Sequence, residues 1–257
     1  HRDLHSFPTR RSSDLDFEGL EDYLKFLESI GVDAIIVADM GIFSLAKRVA
    51  PGLELHVSTQ ASTTNWHTVQ MWKELGATRV VAAREVSLAD LKEMKDHVDI
   101  EIESFVHGSM CISYSGRCLL SNYMTGNRDA NRGQCSQSCR WKYSLVESNR
   151  PGEYYPIEED EHGTYIFNSK DLCLIHRIPD LYEAGIDSLK IEGRMKSVHY
   201  CATVAKVYRT AIDTYLKEGK DWYVRPEWIA ELEKISHRPY TDGFAEGRPD
   251  ETAQNYG

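Results

Sequence analysis

Four cysteines, Cys111, Cys118, Cys135 and Cys139, fall in one stretch of the chain, with six, then sixteen, then three residues between them. Four thiolates in one loop can bind a zinc ion tetrahedrally or hold an iron–sulfur cluster. Zinc knuckles bring their cysteines together as C-x2–4-C, and only the second pair here is that close. Irregular spacing in a polar, glycine-punctuated loop suits a cluster, which is wide and tolerates varied ligand approach. Unliganded buried cysteines are the plainer alternative. Cys173 and Cys201 lie in apolar helical settings, DLCLI and HYCATV, and read as core.

The same loop is basic. From His107 to Tyr143 it carries Arg117, Arg128, Arg132, Arg140 and Lys142 against Asp129 alone, in a chain of net charge −10. Guanidinium groups bind carboxylates and phosphates in pairs of hydrogen bonds, so the patch is a candidate anion site. Tyr114, Tyr123, Trp141 and Tyr143 interleave with the charges, as side chains that stack on bases would. A basic loop that only balances cluster sulfides and nearby acids fits the composition equally well.

These residues need a scaffold, and the rest of the chain supplies its pattern. FEGLEDYLKFLESIG reads as an amphipathic helix with Leu20, Leu24, Phe26, Leu27 and Ile30 on its apolar face and Gly31 at its end. Short apolar runs follow at residues 34–37, 53–57, 79–82, 100–106, 165–167 and 188–191, most of them separated by helical stretches. Strands alternating with helices predict βαβ units around a parallel sheet. Each run leads into polar or ionisable residues: Asp39, then Ser58-Thr59-Gln60, Arg84-Glu85, His107-Gly108, Asn168-Ser169-Lys170-Asp171 and Glu192-Gly193-Arg194. In a β/α barrel such strand ends converge on the face that holds the site. The expected fold is therefore α/β, a TIM-like (β/α) barrel that is N-terminally incomplete, since five or six strands are visible rather than eight.

Residues 1–15 carry no helix or strand period and read as an artefactual or disordered tail. Residues 16–222 form the partial barrel, with the Cys-rich loop at 107–143 and an insertion at 144–164. Residues 223–257 begin a C-terminal region. KYSLVES and EYYPIEE in the insertion are expected to pair as strands, with a turn at His162-Gly163 and a solvated acidic run at Glu158 to Glu161. No apolar run approaches the length of a membrane span. Six cysteines in 257 residues are too few for a disulfide scaffold, which predicts a reducing, cytoplasmic setting. The negative charge argues against a broad nucleic-acid-coating surface while leaving room for a local basic patch.

The runs Glu103-x-Phe105-x-His107-Gly108-x-x-Cys111, Ser115-Gly116-x-Cys118 and Asn131-x-Gly133-x-Cys135-x-x-x-Cys139-Arg140 closely resemble peptidase family U32, the collagenase-like proteins. STQ, AARE, FNSKDL and SLKIEGRMKS extend the resemblance from about residue 16 to the C-terminus. It implies a barrel from which three opening strands are missing, with further sequence beyond RPYTDGF. Some members are named proteases; others are oxygen-independent RNA hydroxylation proteins. The latter use prephenate and an iron–sulfur cluster, expected as 4Fe-4S, to make 5-hydroxyuridine at the tRNA wobble position or 5-hydroxycytidine in ribosomal RNA. This chain looks most like the tRNA branch, which implies tRNA as partner and a related family subunit as a further one.

The resemblance places the cluster on Cys111, Cys118, Cys135 and Cys139. Glu103 and His107 are the expected acid–base pair, with Lys170 and Glu192 as further catalytic candidates. Arg84, Arg128, Arg132, Arg140 and Arg194 are the candidate substrate-binding residues, Arg84 as a carboxylate clamp. Proteolysis needs an activated nucleophile or metal-bound water. Neither HExxH nor GxSxG occurs, and Ser109 in HGSMC lacks the second glycine of that turn. Two alternatives stand beside RNA hydroxylation: a U32-type peptidase, and a non-enzymatic RNA-binding or assembly factor with a structural metal.

Overall fold

The computed structural model describes residues 17–111, 113–126, 128, 130, 133–141, 144–145, 155–156 and 170–247. It opens with helix α1 (Leu20–Ser29), which buries Leu20, Leu24 and Leu27. Phe26 and Ile30, expected on the same face, are about half exposed. Gly31 adopts φ 75° just past the helix, a conformation that a residue with a Cβ resists, and its N–H closes on the Glu28 carbonyl.

Three strand–helix units follow: β1 (Ala34–Val37), α2 (Met40–Val49), β2 (Glu54–Val57), α3 (Trp66–Leu75), β3 (Arg79–Val81) and α4 (Leu88–His97). The long strand β4 (Glu101–Ser109) completes the run. Side-chain caps set the helix starts. Asp39 accepts from Ile42 N, Asn65 from Thr68 N, and Ser87 with Asp90 forms a reciprocal capping box. Asp39, anticipated among the converging strand-end groups, is thus occupied as a helix cap.

β1 to β4 pair in parallel and in chain order, and β8 (Ser188–Glu192) adds in parallel to the free edge of β4. β1 to β4 are largely buried and helices cover them, as parallel sheets require, while β8 is half-buried. Before β8 come helix α5 (Leu120–Thr125), the strands β5 (Ser144–Leu145) and β6 (Tyr155–Pro156), strand β7 (Asp171–Cys173) and helix α6 (Ile178–Glu183). β5 and β6 pair antiparallel, as the two runs of the insertion predict. Residues 158–163 and the apolar run 165–167 lie outside the described residues.

Asp171, expected as a polar strand end, itself lies in a strand. It begins β7, which runs antiparallel to the end of β4 and pairs His107 with Cys173. β3 stops at the level of Glu103, so the upper part of the same β4 edge is open for β7 to take. The long helix α7 (Val198–Glu218), helix α8 (Pro226–Glu233) and the short strand β9 (Tyr240–Thr241), parallel to β7, complete the fold. The whole is an α/β fold on a mostly parallel sheet, which does not close on itself among the described residues.

The core has two parts. One joins α1 to α4 with β1 to β4 around Leu24, Ile35, Ile42, Val57 and Ile102. The other packs α6, α7 and α8 on β4 and β7 around Val106, Ile175, Tyr208 and Leu232. Described residues beyond 222, among them Trp228, Leu232, Ile235 and Ala245, belong to this second part. Cys173 is buried there and half-buried Cys201 packs against it. No helix among the described residues is long and apolar enough to cross a membrane.

Candidate functional site

A cavity of about 390 Å³ opens at the C-terminal ends of β1, β2, β3, β4 and β8. All four loop cysteines line it. Ser58, Thr59 and Gln60 reach it from the end of β2, and Arg84 from just beyond β3. Lys190 and Glu192 alternate along β8, so they project to the same face of the sheet.

Serine holds the first cysteine pair in place. Ser115, buried between Cys111 and Cys118, donates from Oγ to Glu85 Oε2 at 2.8 Å and from its backbone N to Glu85 Oε1 at 3.0 Å. Its Oγ also accepts from Arg84 N at 3.0 Å and lies 3.4 Å from Thr59 Oγ1. The motif residues Thr59, Arg84, Glu85 and Ser115 therefore form one joint between the ends of β2 and β3 and the loop. Cys111 and Cys118 share a side-chain hydrogen bond. It raises the Cys111 thiol and draws the Cys118 thiol down to about 5, so Cys118 ionises first.

Arginine fastens the second pair. Arg140, next to Cys139, donates from Nη1 to Asp171 Oδ1 at 2.8 Å and from Nη2 to Met110 O at 3.0 Å. Arg238 closes the arrangement from the other side, donating its backbone N to Asp171 and its Nη2 to Arg140 O. Burial opposes a charge on Asp171, but the Arg140 charge and hydrogen bond, with Arg238 N and Lys196, hold its carboxyl below the usual range. Arg140 lines the cavity, yet its guanidinium is committed to this joint. Burial raises the Cys139 thiol, and Gln137 N donates to Cys135 Sγ at 3.4 Å. All four cysteines are free and half-buried.

The structure separates the expected acid–base pair. Glu103 is buried and receives Lys190 Nζ at 2.6 Å, Ser188 Oγ at 2.8 Å and Arg79 Nη1 at 3.3 Å. Burial works against its charge, but Lys190, Ser188 and Arg79 outweigh it and keep the carboxyl below its usual range. His107 is fully buried elsewhere, among Tyr200, Tyr208 and Tyr240 at centroid distances of 6.0, 5.5 and 5.3 Å. Burial pushes its imidazole down to about 4. A register shift between Phe105 and His107 explains the divergence, because one irregular residue reverses the alternation of faces beyond it. Glu103 therefore has Lys190 as its partner, and neither Glu103 nor His107 lines the cavity.

The other candidates divide similarly. Arg84 lies with its guanidinium 4.0 Å from the Phe105 ring centroid and donates from Nη2 to Glu192 Oε2 at 3.0 Å. Glu192 Oε1 accepts from Arg194 N. The Arg194 guanidinium packs on Gly133, where a Cβ would overlap it and where φ is +72°. Lys170, just before β7, is not among the residues that line the cavity. Exposed Arg128 donates from Nε to Gln134 O at 3.2 Å, folding the loop on itself. Arg132 and Tyr143 are outside the described residues, whereas Tyr114, Tyr123 and Trp141 are exposed on the loop. Lys190 was not anticipated, and its i, i+2 spacing from Glu192 was the available signal. Asp171 was expected as one of the strand-end residues of the site face, but its pairing with Arg140 was not.

The donor set fits an iron–sulfur cluster: four reduced thiols from one loop line one cavity, with cations around them. Among the described residues no three His, Cys, Asp or Glu side chains converge tightly enough for a single ion.

The chain is similar to known proteins over most of its length. The model of peptidase family U32 matches residues 11–255. tRNA hydroxylation protein P1 of Bacillus subtilis is 51% identical over 94% of this chain and 57% of its own length. tRNA hydroxylation protein P of Escherichia coli is 40% identical, over 91% of this chain and 59% of its own. The 23S rRNA 5-hydroxycytidine C2501 synthase of Escherichia coli is 35% identical, over 91% and 35%. The chain thus spans a little over half the length of the first two relatives. It belongs to peptidase family U32.

Proposed function

We propose that this member of peptidase family U32 acts in hydroxylation of RNA, with tRNA as substrate and 5-hydroxyuridine at the wobble position as product. The observation that carries the reading is the cavity at the strand ends, where four free cysteines meet Arg84, Lys190, Arg194 and Glu192. The names of the relatives support the reaction class. Prephenate is the proposed co-substrate of that reaction. Cys111, Cys118, Cys135 and Cys139 would hold a 4Fe-4S cluster, which when bound supplies one-electron chemistry or a Lewis-acidic iron.

The chain's own residues set the surroundings of that chemistry. Ser115 with Glu85, and Arg140 with Asp171, hold the two cysteine pairs on the sheet. Arg84, Lys190 and Arg194 draw anions into the cavity. Glu103, kept ionised, orients Lys190, and neutral His107 lies sealed away from any substrate proton. Exposed Tyr114, Tyr123 and Trp141 beside Arg117 and Arg128 offer stacking and phosphate contacts to single-stranded RNA. The parallel strands are read as an arc of a β/α barrel, in keeping with a site at their C-terminal ends. A related family subunit is a possible further partner under this reading, and the compartment is the cytoplasm.

The test is nucleoside mass spectrometry of tRNA from a strain lacking its own wobble-uridine hydroxylation and complemented with this protein. Restored 5-hydroxyuridine, lost again in Cys135→Ser, is the expected result. No modified nucleoside, together with cysteine-dependent cleavage of gelatin, would replace this reading by the peptidase one. Modified cytidine in ribosomal RNA alone would overturn the choice of tRNA.

A further inference from the structure

The segment from Ser236 to Tyr240 supplies none of the expected site residues, yet it folds onto the carboxylate that anchors Cys139. Asp171 N donates to Pro239 O at 3.1 Å, and Asp171 Oδ2 accepts from Arg238 N at 3.2 Å. His237 and Tyr240 stack across Pro239 with ring centroids 4.1 Å apart, and the proline fixes φ between them. Lys196 Nζ holds the start of the segment, donating to Ser236 O at 3.0 Å and lying 3.7 Å from Asp171 Oδ2. The turn delivers the Arg238 guanidinium to the cysteine loop. There Nη2 donates at 2.9 Å to the carbonyl of Arg140, the residue after Cys139. Arg140 reaches back from its own Nη1 to Asp171 Oδ1. Arg140, Lys196 and Arg238 thus gather around one fully buried carboxylate beside a cavity thiol.

Three cations on one carboxylate leave these four side chains with a positive surplus, and like charges packed together out of water repel strongly. A negative group beside them relieves that repulsion. Arg140 and Arg238 both act on the thiol of Cys139, whose charged form each of them favours against burial. We propose that Arg238 is a positioning residue that sets the reduction potential of the cluster held by the four loop cysteines. A cluster gains negative charge on reduction, so a fixed cation beside it stabilises the reduced form and raises the potential. A purely mechanical tie to the Arg140 carbonyl needs only a neutral donor, so the charge of Arg238 separates the two roles. The inference rests on the cluster of the proposed function and not on its substrate.

The experiment is redox titration of the anaerobically reconstituted protein, read by electron paramagnetic resonance of the reduced cluster. Arg238→Gln keeps a hydrogen-bond donor and removes the charge. At a fixed potential it should shift the cluster about tenfold toward the oxidised form, a fall of about 59 mV for a one-electron couple. Arg238→Lys keeps the charge and should hold the wild-type potential. Lys25→Gln, on the exposed face of α1, should change nothing. If Arg238→Gln assembles no cluster, Lys196→Gln carries the test and should lower the potential by a smaller step. An unchanged or higher potential in the variant that carries the test, or an equal fall in Arg238→Lys, overturns the inference alone. A wild type that holds zinc or no metal removes the cluster reading and this inference with it. The expected fall in a protein whose wild type restores no modified nucleoside keeps the inference and removes the RNA reading.

Discussion

Arg140 Nη1 donates to Asp171 Oδ1 at 2.8 Å, tying the residue after the last loop cysteine to a fully buried carboxylate at the start of β7. Removing one partner of a buried pair leaves the other charge uncompensated, which typically costs about 3–5 kcal/mol. Lys196 at 3.7 Å and Arg238 N at 3.2 Å soften that loss here. Arg140→Leu should therefore destabilise the fold by about 3 kcal/mol in urea melts. A loss below about 0.5 kcal/mol, the range of an ordinary surface change, would show that the joint is not structural.

Gly108 shows how closely β4 and β8 approach at the site. It adopts φ 106°, and a Cβ built there would overlap the Glu192 carbonyl oxygen, which is backbone and cannot swing aside. Gly108→Ala should abolish soluble, cooperatively folded protein. Gly126 has a similar φ of 78° with nothing within 4 Å, so Gly126→Ala should cost only about 1–2 kcal/mol, from backbone strain alone. Equal melting of the two variants would contradict the steric argument.

The Ser115 joint predicts a change in thiol chemistry. Ser115→Ala removes the Oγ that Glu85, Arg84 and Thr59 share, and should loosen the segment bearing Cys111 and Cys118. Alkylation of those two cysteines, followed by peptide mass spectrometry in metal-free protein, should quicken by about tenfold if about 1.4 kcal/mol of local opening energy is lost. Cys173, buried and accepting from the Tyr208 hydroxyl, should not change its rate. Equal rates at Cys111 before and after substitution would remove Ser115 from its positioning role.

His107 predicts a pH dependence of stability. Its folded value of about 4 lies below the unfolded value near 6.5. The unfolded chain therefore binds the extra proton, so the contribution is complete above pH 6.5 and is lost as pH falls through 4. The difference corresponds to about 3 kcal/mol at neutral pH. His56, also lowered by burial, adds a slope of the same sign, so His107→Phe should reduce the acid-side slope without abolishing it. The lowered carboxyls of Asp171 and Glu103 act at lower pH, below their unfolded values near 4. An unchanged slope between pH 6.5 and 4 in His107→Phe would show that the imidazole is hydrated.

The sequence carried the strand–helix alternation because parallel strands are continuous apolar runs, and the four that form β1 to β4 were legible from that alone. The loop cysteines could be grouped by spacing and composition. What could not be read was pairing beyond the regular units. The antiparallel entry of β7 depends on β3 being short, and no local pattern around Asp171 encodes it. The Glu103–His107 pairing looked sound because residues i and i+4 share a face of a regular strand. The shifted register after Phe105 cancels that expectation, and single-residue irregularities leave little trace in hydrophobic patterning. Helix α1 shows the opposite error: Phe26 and Ile30 fit an apolar list, yet the buried stripe runs through Leu20, Leu24 and Leu27.

The most direct test is iron, sulfide and zinc analysis of the anaerobically reconstituted protein, alongside its serine variants. The account predicts a brown protein with about four irons per chain, as one cubane on four cysteines requires. Cys111→Ser, Cys118→Ser, Cys135→Ser and Cys139→Ser should each bleach it, while Cys173→Ser and Cys201→Ser keep the colour. Stoichiometric zinc without iron, or iron retained undiminished in all four loop variants, would contradict it.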